Sequence, residues 1–177
     1  PQHAAAIAAQ MERLDIFRDV KAMPYEDACA AGLIALIGKE TDDAFLGCVL
    51  DQINDRASVA KVADRFTMVY TPFHGTGYQE IPYVLHELGI RRLHCVPEQM
   101  VIDGTFPTVS SPNPENPESF ALAVALAEQV GADFILGSDP DADRVAIQVR
   151  GRDGKYVQLT GNQTGVLLLD LSLIHIS

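Results

Sequence analysis

Cysteine, basic residues and long apolar runs are all scarce in this chain of 177 residues, and each scarcity removes a class of explanation. The three cysteines, Cys29, Cys48 and Cys95, lie far apart, are odd in number and form no C-x-x-C pair. They supply neither a disulfide framework nor a zinc site, and they fit a reducing cytoplasm. Lys and Arg number 13 against 24 Asp and Glu, for a formal net charge of −11, and the only adjacent basic pair is Arg91-Arg92. A surface of that sign repels nucleic acid and anionic lipid, so neither is expected as a partner. The apolar run Val166-Leu167-Leu168-Leu169 stops at Asp170, far too short to span a bilayer. The N-terminus shows no charged-then-apolar leader pattern. It opens on Pro1 rather than Met, which is read as a start inside a longer protein.

What is present is an ordinary globular composition, 47% hydrophobic and 21% charged, in a chain long enough to bury a core without covalent staples. The first 40 residues are Ala-rich and helical in pattern, with Ile7, Met11 and Leu14 spaced for one face. A second helix is expected from Asp42 to about Asn54, capped by Thr41 and carrying Phe45, Cys48, Val49 and Gln52 on one side. From Phe66 onward strands and helices alternate. Strands are expected over 66–70, 92–96, 133–137 and 144–149, with helices over 78–88 and 117–130. Gly89 and Gly131 should end those helices, and Asn116-Pro117 should start the second of them. A turn at Gly151-Arg152-Asp153-Gly154 leads into a strand over 155–159, and a last helix begins near Gln163. No internal repeat is present. The expected fold is α/β, a three-layer domain with a largely parallel sheet plus an antiparallel hairpin, flanked by partial domains.

Three segments carry chemistry-bearing residues. In Asp139-Pro140-Asp141-Ala142-Asp143-Arg144 three carboxylates sit at alternate positions after the apolar strand residues Phe134-Ile135-Leu136. Like charges so close destabilise one another unless something neutralises them; a hard divalent ion such as Mg²⁺, which takes oxygen ligands, would do so, and a solvated acidic loop with helix-capping roles is the alternative. An EF-hand is excluded, because Arg144 stands at the loop's sixth position where glycine is required and Arg150 at the twelfth where Glu is required. The second segment, His74-Gly75-Thr76-Gly77, imitates a dinucleotide fingerprint, with Glu98 where a ribose-binding acid would sit. Glu80 occupies the third glycine position and sets a negative charge where pyrophosphate would lie. A plain tight turn and an active-site loop remain equal readings of it, with a turn-stabilising role favoured for His74. The third segment, Ser110-Ser111-Pro112-Asn113-Pro114-Glu115-Asn116-Pro117, reads as a solvated, polyproline-like connection.

Together with Phe106-Pro107-Thr108-Val109 and Leu159-Thr160-Gly161-Asn162-Gln163, these segments resemble the α-D-phosphohexomutase superfamily, and above all its bacterial phosphoglucomutase/phosphomannomutase branch. The resemblance covers about residues 1 to 170. In that superfamily four domains enclose one cleft: a serine of the first carries phosphate, the acidic loop of the second binds Mg²⁺, the third reads the sugar and the fourth holds the substrate phosphate. By resemblance, residues 1–40 are the tail of domain one, 41–158 domain two and 159–177 the start of domain three, and the chain is a fragment whose partners are the remaining domains. Asp139, Asp141 and Asp143 are the implied metal ligands, and Asp143, Arg144 and His74 the implied substrate contacts. No catalytic residue is expected, because the superfamily's serine motif T-A-S-H-N-P does not occur in this sequence. The segment Leu171–Ser177 departs from the superfamily's pattern and reads as a truncated or artefactual end, in which His175 is given no role.

The implied reaction interconverts hexose 1-phosphate and 6-phosphate in the cytoplasm, with glucose phosphate the leading substrate. It runs through phosphoserine and a bisphosphate intermediate, with glucose 1,6-bisphosphate as activator, and the fragment alone is expected to be inactive. Two alternatives stand beside it. One is a haloacid-dehalogenase-like phosphatase with Asp139 as nucleophile, although Ala142-Asp143 and a lone downstream candidate, Lys155, fit it poorly. The other is a non-catalytic nucleotide- or metal-binding α/β module.

Overall fold

The computed structural model describes residues 2–176, with side chains to residue 172. Expectations about Pro1 and about the side chains at the C-terminal end, His175 included, lie outside the described residues. The chain divides into two compact units, Pro1–Asp42 and Asp43–Ser177.

In the first unit, α1 (Gln2–Met11) and α2 (Tyr25–Ala30) are joined by turns. Ile7, Met11 and Leu14 do fall on one side, where they line a shallow apolar groove, but all three are exposed. Helix α3 (Lys39–Asp51), of which all but the first four residues belong to the second unit, begins earlier than its expected cap at Thr41. Its buried side also differs from expectation. Leu46 is buried, whereas Phe45 is 61% exposed and Cys48 is exposed. The inward stripe is Leu46 with the half-buried Val49 and Leu50, three and four residues apart as one helix face requires.

The second unit is built on β1 (Thr67–Thr71), whose five residues are all buried. A strand covered on both faces needs no polar alternation, which is why Thr67-Met68-Val69-Tyr70 reads as a continuous run. Parallel β2 (Arg92–Cys95) and β3 (Phe134–Ser138) flank β1. Beyond β3, strands β4 (Val145–Arg150) and β5 (Tyr156–Gln158) add an antiparallel hairpin. The order is β2-β1-β3-β4-β5, so four of the five strands point the same way.

Register alone assigns the two faces. Val69 opposite Ile135 faces one cluster, with Phe73, Phe120, Ala123, Ala127 and Ala146. Met68 opposite Phe134 faces the other, with Ala63, Ile90, Leu85 and Leu88. Helix α6 (Ala121–Val130) covers the first face. The second is covered by α4 (Arg56–Val62) and α5 (Glu80–Glu87), which completes three layers.

Helix α4 is absent from the pattern-based expectation, although its start is written locally. Asp55 accepts a hydrogen bond from the Ser58 N–H at 2.8 Å, an ordinary N-cap. The helix expected over 78–88 opens as a 3-10 turn at Thr76–Tyr78, and the one expected from Pro117 as a 3-10 turn at Pro117–Phe120. Gly89 and Gly131 end their helices at φ +87° and +67°, a conformation that disfavours any residue with a Cβ. Helix α7 (Gly161–Ile176) starts before Gln163. The Thr160 N–H donates to Gln163 Oε1, and the Gln163 N–H donates back to Thr160 Oγ1, a reciprocal box that fixes its first turn. Among the described residues no helix is long and apolar enough to cross a membrane.

Candidate metal centre

The acidic loop leaves the C-terminal end of β3, while the loop His74-Gly75-Thr76-Gly77 follows β1, its neighbour in the sheet. From β1 the chain crosses to β2 on one side, and from β2 it returns to β3 on the other. Between such strands the crossovers diverge, and the strand ends are left open to a ligand.

Within the loop, one carboxylate oxygen each from Asp139, Asp141 and Asp143 lies within 4.8 Å of the others. Asp139 is fully buried, and Asp141 and Asp143 are exposed. The loop is closed by its own backbone: Asp139 N–H donates to the Arg144 carbonyl and Ala142 N–H to the Asp139 carbonyl. Ala142 is carried at φ +55°, a strained value for a residue with a Cβ.

Arg144 answers the buried charge. Its backbone N–H donates to Asp139 Oδ1 at 2.9 Å and its Nε to Asp139 Oδ2 at 2.8 Å. Burial works to raise the Asp139 pKa, but the hydrogen bonds from Arg144 outweigh it and the net direction is down. Asp143 moves the other way. A hydrogen bond shared with Asp139 holds it up, and the negative charges of Asp141 and Asp139 add to the rise. The guanidinium also reaches Asp143 at 3.6 Å and Asn113 Oδ1 at 3.4 Å. Its side chain stays 53% exposed, beside an open cavity of about 620 Å³ lined by Glu115, Ala146, Gln158, Thr160 and Asn162 among others.

Oxygen-only donors, three carboxylates and one buried member suit a small hard cation such as Mg²⁺. Each carboxylate oxygen also keeps a lone pair beyond those that accept from Arg144.

His74 is placed differently from Asp143 and Arg144. It is buried, with Nδ1 on the Val101 carbonyl at 3.0 Å and Nε2 on Thr108 Oγ1 at 2.9 Å. Val101 O can only accept, so Nδ1 carries the proton and Nε2 accepts from the Thr108 hydroxyl. That hydroxyl in turn accepts from Gln99, whose amide oxygen accepts from Thr71. Both ring nitrogens are therefore engaged by the long loop that follows β2.

Two contributors were not singled out in the sequence. Asn113 reaches Arg144 from the segment read as a solvated connection, whose signals were the density of Pro around it and its share in the family resemblance. Thr76 donates both its N–H and its hydroxyl to the Pro140 carbonyl, at 2.8 and 3.1 Å. Small residues in its loop were the signal, though their use is contact with the acidic loop.

Residues 43–152 match the family profile described as phosphoglucomutase/phosphomannomutase, alpha/beta/alpha domain II. The chain belongs to the phosphoglucomutase/phosphomannomutase family. It is 42% identical over 117 residues to a Haemophilus influenzae protein named as a phosphomannomutase, which covers 66% of this chain and 24% of that one. It is 38% identical over 103 residues to a Staphylococcus epidermidis phosphoglucomutase, covering 58% of this chain and 19% of that one. A solved structure from Thermus thermophilus, assigned as a phosphomannomutase, shares the fold. Its TM-score is 0.51 at 19% identity, covering 65% of this chain and 25% of that chain. The chain thus spans about a quarter or less of the length of the curated relatives it matches. Family membership sets aside the haloacid-dehalogenase-like reading.

Proposed function

We propose that this chain supplies the metal-binding segment of a cytoplasmic phosphohexomutase. The enzyme would be an isomerase that moves a phosphoryl group between the 1- and 6-positions of a hexose, with glucose phosphate the leading substrate. The observation that carries the proposal is the convergence of Asp139, Asp141 and Asp143 within 4.8 Å, at a sheet edge matched to this family's domain II.

Asp139, Asp141 and Asp143 would hold Mg²⁺, and the ion when bound would offset negative charge on a phosphoryl group in transfer. The chain's own residues have separable tasks. Asp139, buried and held by two hydrogen bonds from Arg144, anchors the loop so that the two exposed carboxylates stand beside it. Arg144 lines the cavity while its Nε holds Asp139, and its planar fork would donate to two phosphate oxygens. Asn113 steadies that fork from the opposite loop. The phosphoserine, the sugar-reading loop and the phosphate-holding domain would come from the rest of a longer chain, with glucose 1,6-bisphosphate as activator.

The test uses the longer protein that carries this segment, assayed with hexose 1-phosphate, the bisphosphate and Mg²⁺. Asp139→Asn, Asp141→Asn and Asp143→Asn should each lower turnover sharply. Arg144→Lys, which keeps the charge and loses the fork, should stay well below wild type. Full activity in an Asp variant removes that residue from the ligand set, and full activity in Arg144→Lys removes the bidentate role.

A further inference from the structure

The acidic loop does not stand alone at the sheet edge. Gly75 is buried against it: a Cβ built there would lie 2.3 Å from Pro140 Cα and 2.6 Å from the Pro140 carbonyl oxygen. These are backbone atoms and cannot swing aside. Its φ is −95°, so the glycine serves close approach rather than a left-handed turn. One residue on, the Thr76 N–H and hydroxyl both donate to the Pro140 carbonyl. Pro140 lies between Asp139 and Asp141, and its carbonyl belongs to the peptide unit that leads into Asp141.

The turn making these contacts is itself held hard. Phe73 and His74 have φ of +46° and +66°, values that persist in non-glycine residues only where the surroundings enforce them. Phe73 is fully buried and packs edge-on to Phe120 with ring centroids 5.1 Å apart, and its N–H donates to Thr71 Oγ1. The His74 ring is tied at both nitrogens to Val101 and Thr108, and its N–H donates to the Gln99 carbonyl. Gln99 is fully buried and bonded to Thr71 and Thr108. Every link from the core to Pro140 is thus a buried aromatic contact or a hydrogen bond.

We infer that the turn Phe73–Thr76 is a buttress for the acidic loop, and that Thr76 is a positioning residue that sets the spacing of Asp139 and Asp141 for a divalent cation. The two donors of Thr76 fix the orientation of the Pro140 peptide, and Gly75 lets them come within reach. Partners that orient ligands from outside the coordination sphere commonly change metal affinity by about ten- to a hundredfold. The inference rests on the metal-site reading above, so its experiment tests the two separately.

Mn²⁺ binding to this 177-residue chain is measured by the loss of the free-ion electron paramagnetic resonance signal, with far-UV circular dichroism confirming that each variant is folded. Asp139→Asn should abolish binding; if it binds like the wild type, the metal reading itself falls. With that control satisfied, Thr76→Val should weaken Mn²⁺ roughly tenfold, and Thr76→Ser, which retains the hydroxyl, should recover most of it. Gly75→Ala should weaken binding at least as much. Wild-type affinity in folded Thr76→Val or folded Gly75→Ala overturns the inference. A measurement on the wild type guards against variants that do not fold. On titration with Mg²⁺ the Thr76 amide resonance should shift together with that of Ala142, because its acceptor lies between two ligands. A stationary Thr76 amide alongside a moving Ala142 amide also overturns it.

Discussion

Tyr70 shows how much of this fold depends on single polar atoms. Its ring is fully buried in the central strand, and its hydroxyl meets the Gly77 carbonyl at 3.0 Å and Ser138 Oγ at 2.8 Å. It thereby ties the loop that leaves β1 to the last residue of β3. Burial pushes its pKa well above the usual phenol value; the Ser138 hydrogen bond opposes the rise, and the negative charges of Cys95 and Glu80 add to it. The folded-state pKa is raised, so the folded protein holds the phenolic proton more tightly than the unfolded chain does. Stability from this group is complete below about pH 10 and is lost as pH climbs from there toward the folded value. Urea denaturation at pH 7, 10 and 11 should show stability falling across the alkaline steps, and in Tyr70→Phe the fall between pH 10 and 11 should be smaller by about 1 kcal/mol. At pH 7 the same variant should lose about 1–3 kcal/mol, because the buried Gly77 carbonyl and Ser138 hydroxyl are left without this partner. An unchanged alkaline slope would mean that Tyr70 ionises freely in the folded state. At this scale the acidic loop was legible as a cluster, since carboxylates at alternate positions in a tight loop cannot separate and repel one another. His74 was legible as a turn residue but not as the link to Val101 and Thr108, because those partners lie 27 and 34 residues away.

Helices and strands were read most securely where the stop signals are local. Gly89 and Gly131 end α5 and α6 because both require positive φ. Asn116 and Pro117 open the turn that leads into α6, with the Asn116 side chain accepting the Glu118 N–H. Helix α4 leaves no pattern in the sequence because seven residues are too few to display a period, and an isolated helix of that length is not stable by itself. Packing of Val59 and Ala63 against the β1 face sustains it, together with the Asp55 cap. Asp55→Ala should therefore cost about 1 kcal/mol in thermal or urea unfolding of the chain. No loss would show that packing alone holds α4. The inward side of α3 is not written in its sequence for a related reason: period places a stripe on a helix, but Phe45 and Leu46 are adjacent, and only the neighbouring elements decide which of them turns inward.

At the scale of the molecule, the chain holds one three-layer α/β unit and a smaller helical one. It spans about a quarter or less of the relatives it matches. Phosphoryl transfer needs a phosphorylated nucleophile aligned with the sugar hydroxyl, and the T-A-S-H-N-P motif does not occur among these 177 residues. The isolated chain should therefore show no mutase turnover with hexose 1-phosphate, the bisphosphate and Mg²⁺, even when circular dichroism shows it folded. Turnover above an Asp139→Asn blank would place the nucleophile within this chain. The sequence by itself determined the fold class, the glycine stops of α5 and α6 and the carboxylate triplet, because each depends on residues within one or two turns of chain: periodicity, positive φ and local charge repulsion. Only the tertiary structure decided that His74 bonds to Val101 and Thr108 in the long loop, that Asn113 meets Arg144, and that Gly75 and Thr76 press on Pro140. Those contacts join residues 27 to 65 positions apart, and parallel strands joined by crossovers bring such residues together only once the sheet has formed.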